Sequence, residues 1–92
     1  MKLTEERKEE VLALCRKLIA NRSYSGEEDA VAGALKYFMH QKKFDEITTD
    51  EYGNVIGKIK GNRQGCHLLF DGHMDTVPAD NKEAWKHDPF VP

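Results

Sequence analysis

The stretch from Cys66 to Phe70, CHLLF, carries three apolar residues in a row, Leu68, Leu69 and Phe70. Successive side chains on a strand point to opposite faces, so a strand with one wet face alternates apolar and polar residues. This stretch does not alternate at its end. It fits a strand covered on both faces, as in the interior of an α/β sheet. Such a strand needs one layer of structure above it and another below. The remainder of the 92 residues must supply both, or the fold that they begin is completed by other polypeptide.

The preceding residues supply one layer at most. Thr4 is placed to cap a helix whose first turn carries Glu5 and Glu6, carboxylates favoured at the positive end of the helix dipole. Val11, Leu12, Leu14, Cys15, Leu18 and Ile19 form one apolar stripe, which predicts a helix over about residues 4 to 20. On that stripe Cys15 reads as a small buried hydrophobe. Ser25 followed by Glu28 fits a capping box for a second helix. The stripe of that helix is Ala30, Val31, Ala34, Leu35, Phe38 and Met39, and it should end near Gln41. After Phe44 the period shortens. DEITTD and NVIGKIK predict two strands joined by a turn around EYGN, and GNRQG predicts a second turn with glycines at positive φ. The expected order is helix, helix, hairpin, central strand: the beginning of an α/β domain, with one layer missing.

Composition excludes several functions. Fourteen basic against 16 acidic residues leave a formal charge of −2, so no basic field invites nucleic acid. No apolar run approaches the ~20 residues that a membrane helix needs. The start MKLTEERKEE is too charged for a secretory signal, and the expectation is a cytoplasmic protein. Cys15 and Cys66 form no CxxC pair and no disulfide framework. There is no G-x-S-x-G elbow, P-loop or dinucleotide fingerprint.

Chemistry concentrates where the predicted central strand ends, in FDGHMDTVP, residues 70 to 78. His73 and Asp75 stand two residues apart, so in an extended stretch their side chains point the same way. The carboxyl edge of an open α/β sheet is where ligand sites gather. A metal-ligating imidazole usually donates its other N–H to a carboxylate, and His73 with Asp75 has that composition. Gly72 permits a sharp turn or a close approach of the backbone, and Pro78 ends the segment. HxD alone is a weak pattern, and a histidine at a strand end is more often a surface residue than a ligand.

A catalytic metal takes about three protein ligands, and the other donors here are poor. His67 lies about 20 Å from His73 if the segment is extended. His40 reads as a solvated cation at a helix C-terminus. His87 and Asp88 lie in WKHDPF, whose Trp85 and Phe90 read as packing anchors. Asp71 either supports the site from behind or hydrogen-bonds the turn.

LLFDGHMDTVP followed by WKHDPF resembles the opening of the zinc-dependent exopeptidases and deacylases that include aminoacylase, acetylornithine deacetylase, succinyl-diaminopimelate desuccinylase and glutamate carboxypeptidase. WKHDPF and DEYGNVIGKIKG are similar to a hydrolase subgroup linked to selenium metabolism. The resemblance covers the whole chain. It implies that residues 1 to 92 are an incomplete N-terminal portion of a zinc-exopeptidase-like catalytic domain. It implies that His73 is a ligand of the first metal ion and that Asp75 orients the imidazole and supports catalysis. The cofactor implied is a pair of zinc ions, with cobalt or manganese using similar ligands. The implied substrate is a small N-acyl amino acid or peptide, and a homodimer is a further expectation.

Members of that family are several times longer. They carry a bridging aspartate, a paired-glutamate segment with the general base, another acidic ligand and a distant histidine. No residue here matches these. Asp88 is not the bridging aspartate, whose glycine-rich segment follows D-P-F in the family. The 92 residues alone are therefore expected to be inactive. The alternative is a short non-catalytic interaction module derived from such a hydrolase, using its uncovered strand edge and apolar sheet face to dock a partner.

Overall fold

A computed structural model of the chain describes residues 2 to 24, 26 to 79 and 82 to 92. Helix α1 spans Glu5–Ala20 and helix α2 spans Asp29–Gln41. Strands β1, Glu46–Thr49, and β2, Val55–Lys58, form an antiparallel hairpin with Glu46 opposite Lys58 and Thr49 opposite Val55. A 3₁₀ turn follows at Lys82–Ala84. None of the described helices is long and apolar enough to cross a membrane.

The first helix starts as its sequence directs. Thr4 Oγ1 accepts from Arg7 N at 3.1 Å, satisfying one of the donors that a helix N-terminus leaves open. The second starts later than expected. Glu28 takes the N-cap position without capping through its side chain, and its Oε1 accepts from Gly26 N at 3.0 Å instead. The Ser25 half of the expected capping box lies outside the described residues.

The end of α2 sets up the hairpin. Lys43 adopts a left-handed conformation with φ 58°, Lys43 N donates to His40 O, and Phe44 N donates to Met39 O. This is a Schellman closure, and Met39 and Phe44 are the apolar pair that accompanies it. A Cβ on Gly57 would lie 2.7 Å from both Met39 Sδ and Phe44 Cδ2. Only glycine lets the middle of β2 approach that pair so closely.

At the far end of the hairpin, Asp50 Oδ1 accepts from Tyr52 N and Asn54 N, and Asp50 Oδ2 accepts from Asn54 Nδ2. Gly53 completes the turn at φ 86°. The second turn differs from expectation, because neither Gly61 nor Gly65 has positive φ.

The core is small. Val31, Ala32 and Ala34 of α2 are its buried apolar residues among those described. No residue of α1 is buried, and the expected stripe leaves Val11, Leu12 and Ile19 about half exposed. Cys15 is exposed, against the expectation of a buried hydrophobe. A stripe is buried only where a second surface meets it, and α1 meets α2 along part of its length.

The central strand is the main correction. Residues 66 to 70 form no strand, and Leu68, Leu69 and Phe70 are 82%, 91% and 89% exposed. Backbone N–H and C=O groups of a strand need a partner strand, and none of the described residues supplies one here. The two helices and the hairpin are compatible with part of an α/β domain. The accessible surface of 8425 Å² agrees. A compact monomer of this mass exposes about 5,400 Å², so roughly 3,000 Å² more lies open.

Candidate metal centre

The segment bearing His73 and Asp75 is anchored at one point. Thr76 N donates to Ser23 O at 2.6 Å, which makes a single parallel bridge between Tyr24 and Thr76. Ser23 Oγ and Thr76 Oγ1 lie 3.4 Å apart. Ser23 is almost wholly buried while Thr76 is exposed, so this joint between the α1–α2 linker and the segment is covered on the Ser23 side. Thr76 follows Asp75 directly, and the joint therefore holds the pair beside the helices.

His73 Nδ1 lies 3.7 Å from Asp75 Oδ1. The two side chains share one side of the segment, as an i, i+2 spacing in extended chain requires. The separation exceeds a hydrogen bond but permits an ion pair when the imidazole is protonated. His73 is almost fully exposed, whereas Asp75 is more than half covered. The arrangement places the carboxylate on the Nδ1 side and leaves Nε2 as the ring nitrogen for another partner.

The pair stands on the wall of an open hollow of about 710 Å³. Its lining includes the apolar Leu18, Val31 and Leu35, residues 52 to 55 of the hairpin turn and the start of β2, and residues 71 to 76. Glu28 and Asp71 also line it. Among the described residues, no three His, Cys, Asp or Glu side chains gather closely enough to hold a metal ion. The donors fit part of a metal site: one accessible imidazole with a carboxylate beside its other nitrogen.

Of the remaining sequence candidates, Asp71 lines the hollow, whereas His40, His67, His87 and Asp88 do not. Asp88 Oδ1 accepts from Phe90 N at 2.9 Å and so closes a local turn. Phe90 meets the Tyr24 ring edge-on at 6.4 Å, and the Arg22 guanidinium lies 4.4 Å from its centroid. That is the packing role expected of WKHDPF, although Trp85 remains half exposed. Sequence reasoning did not anticipate that Glu28 and the Tyr52–Asn54 turn face the same hollow as His73. Glu28 carried only a capping signal, and nothing local in EYGN points to a distant segment.

No family model matches the chain, and no solved structure matches it. Curated proteins do. The N-formyl-4-amino-5-aminomethyl-2-methylpyrimidine deformylase of Bacillus subtilis is 35% identical over 99% of this chain and 23% of its own length. The succinyl-diaminopimelate desuccinylase of Methylocella silvestris is 31% identical over 84% of the chain and 21% of its own length. The [LysW]-lysine hydrolase of Deinococcus radiodurans is 42% identical over 73% of the chain and 18% of its own length. The chain thus spans about a fifth of the length of these relatives. Similar to all three across most of its residues, it belongs to the family of amidohydrolases and deacylases of which they are members.

Proposed function

We propose that these residues are the N-terminal segment of the catalytic domain of a two-metal amidohydrolase, acting on a small N-acyl amino acid or peptide. His73 is the metal ligand that the segment contributes, and Asp75 holds its ring. The observation that carries this reading is the His73–Asp75 pair, exposed at the rim of a hollow in a chain similar to a deformylase, a desuccinylase and a lysine hydrolase. The ions, zinc by the family's habit, would lower the pKa of a bound water and polarise the amide carbonyl. With a metal bound, Asp75 would accept a hydrogen bond from His73 Nδ1–H, which would fix the tautomer and leave Nε2 as the ligating nitrogen. The bridging ligand and general base belong to polypeptide beyond these residues, so the segment alone is inactive.

The test compares the 92-residue chain with one extended to the length of its relatives, each assayed for bound metal and for hydrolysis of N-acyl amino acids with zinc or cobalt. The short chain should show no turnover. In the extended chain His73→Ala should remove metal and activity together, and Asp75→Asn should weaken metal binding about 10- to 100-fold. Turnover by the short chain that His73→Ala abolishes would overturn its inactivity. Full metal occupancy in the extended His73→Ala protein would overturn the ligand role.

A second reading, a non-catalytic interaction module, is favoured by one observation: the exposed apolar run Leu68–Leu69–Phe70.

A further inference from the structure

An isolated bridge such as Tyr24–Thr76 fixes its own register weakly, because no neighbouring pairs reinforce it. Register here decides what faces outward. His73 and Asp75 share one side of the segment, and Thr76 directs its hydroxyl to the other, where Ser23 is 1% exposed. Met74, two residues before Thr76, is correspondingly half-buried. Ser23 is itself held in place. Asn21 Nδ2 donates to Lys17 O at 2.7 Å at the end of α1, and Arg22 and Tyr24 both pack against Phe90.

We infer that the Ser23 and Thr76 hydroxyls select the register of this segment, which makes both of them positioning residues for the His73–Asp75 pair. Ser23 Oγ donates to Thr76 Oγ1 at 3.4 Å, long for two hydroxyls. The weight of the contact lies less in strength than in leaving the buried serine no polar atom without a partner. Within residues 74 to 78, Thr76 alone meets both demands of the joint, a hydroxyl for Ser23 Oγ and an N–H for Ser23 O. A slip of two residues sets Met74 there, which has no hydroxyl, or Pro78, which has no N–H. A slip of one sets Asp75 or Val77 there and turns His73 and Asp75 from the open side to the covered one. The choice of register needs no metal, whereas its effect on metal binding rests on the reading of His73 as a ligand.

Two measurements test this. In the metal-free 92-residue chain, amide hydrogen exchange followed by NMR should show the residue-76 N–H protected in the parent and in Thr76→Ser. In Thr76→Val, which keeps the N–H and the branched shape, protection should fall at least about tenfold, with helical circular dichroism unchanged. In the chain extended to the length of its relatives, cobalt(II) affinity should drop about tenfold in Thr76→Val and in Ser23→Ala. The visible spectrum of the bound cobalt should change with it, and Thr76→Ser should restore both. The double variant should lose no more than either single one, because the two hydroxyls act as a unit. Unchanged residue-76 protection in Thr76→Val would overturn the choice of register. Unchanged cobalt affinity and spectrum in that variant, or an equal loss in Thr76→Ser, would overturn the positioning role. If cobalt binding survives His73→Ala, the ligand reading falls, and amide exchange still decides the register.

Discussion

Lys43 occupies a position that glycine usually takes. Its φ of 58° closes α2 and turns the chain toward β1, and a side chain in that region costs about 1 kcal/mol. Lys43→Gly should relieve that strain and raise the unfolding midpoint, with stabilisation of up to about 1 kcal/mol after the extra freedom of the unfolded glycine is deducted. Thermal unfolding of the two proteins, followed by helical circular dichroism, checks it; a lower midpoint in the variant would show that the closure carries no strain. Nothing in the local sequence announced this conformation, because QKKF contains none of the residues that favour positive φ. The His73–Asp75 pair is the opposite case. Spacing alone placed both side chains on one side of the segment, and the structure keeps them 3.7 Å apart.

At the scale of elements, the hairpin is held by a carboxylate as well as by its ladder. Asp50 is drawn below the usual carboxylate range, first by the side chain and then by the backbone N–H of Asn54, with desolvation opposing and the backbone N–H groups of Tyr52 and Gly53 adding less. Glu10 is lowered in the same way by Lys42, which joins α1 to α2. A folded-state pKa below the unfolded value means that the unfolded chain binds more protons between the two. The stabilisation is therefore complete above the unfolded value, near pH 4, and is lost as the pH falls through the folded value. The unfolding midpoint should accordingly drop more steeply on acidification from about pH 5 to 3 in the parent chain than in Asp50→Asn. Parallel curves would remove Asp50 from the account. Both helices and the hairpin were legible from period and caps. The burial of α1 was not, because an apolar stripe states which face seeks cover and not how much cover arrives.

Over the whole molecule, the missing cover becomes measurable. The Cα radius of gyration is 15.7 Å, whereas a compact domain of this length has about 12 Å. Set against the surface of an unfolded chain of this mass, folding removes roughly two-thirds of the area that a compact protein of equal size would bury. The slope of stability against urea follows that area, so it should be about two-thirds of the usual value for this length. Urea titration at low micromolar concentration measures it. A slope typical of compact domains would mean that the 92 residues close a core of their own.

Local pattern sufficed for the two helices, the hairpin and the common side of His73 and Asp75, because periods of 3.6 and 2, the Thr4 cap and i, i+2 spacing act between neighbours in the chain. It also led to the expectation of a central strand at residues 66 to 70 covered on two faces, which the structure does not show. That expectation turned on contacts between distant parts of the chain. Tertiary structure left the run open for want of a partner strand, exposed Cys15 where α1 meets too little of α2, and brought Glu28 and the Tyr52–Asn54 turn to the hollow beside His73. Each of these depends on surfaces far apart in the chain, whose meeting no local pattern encodes.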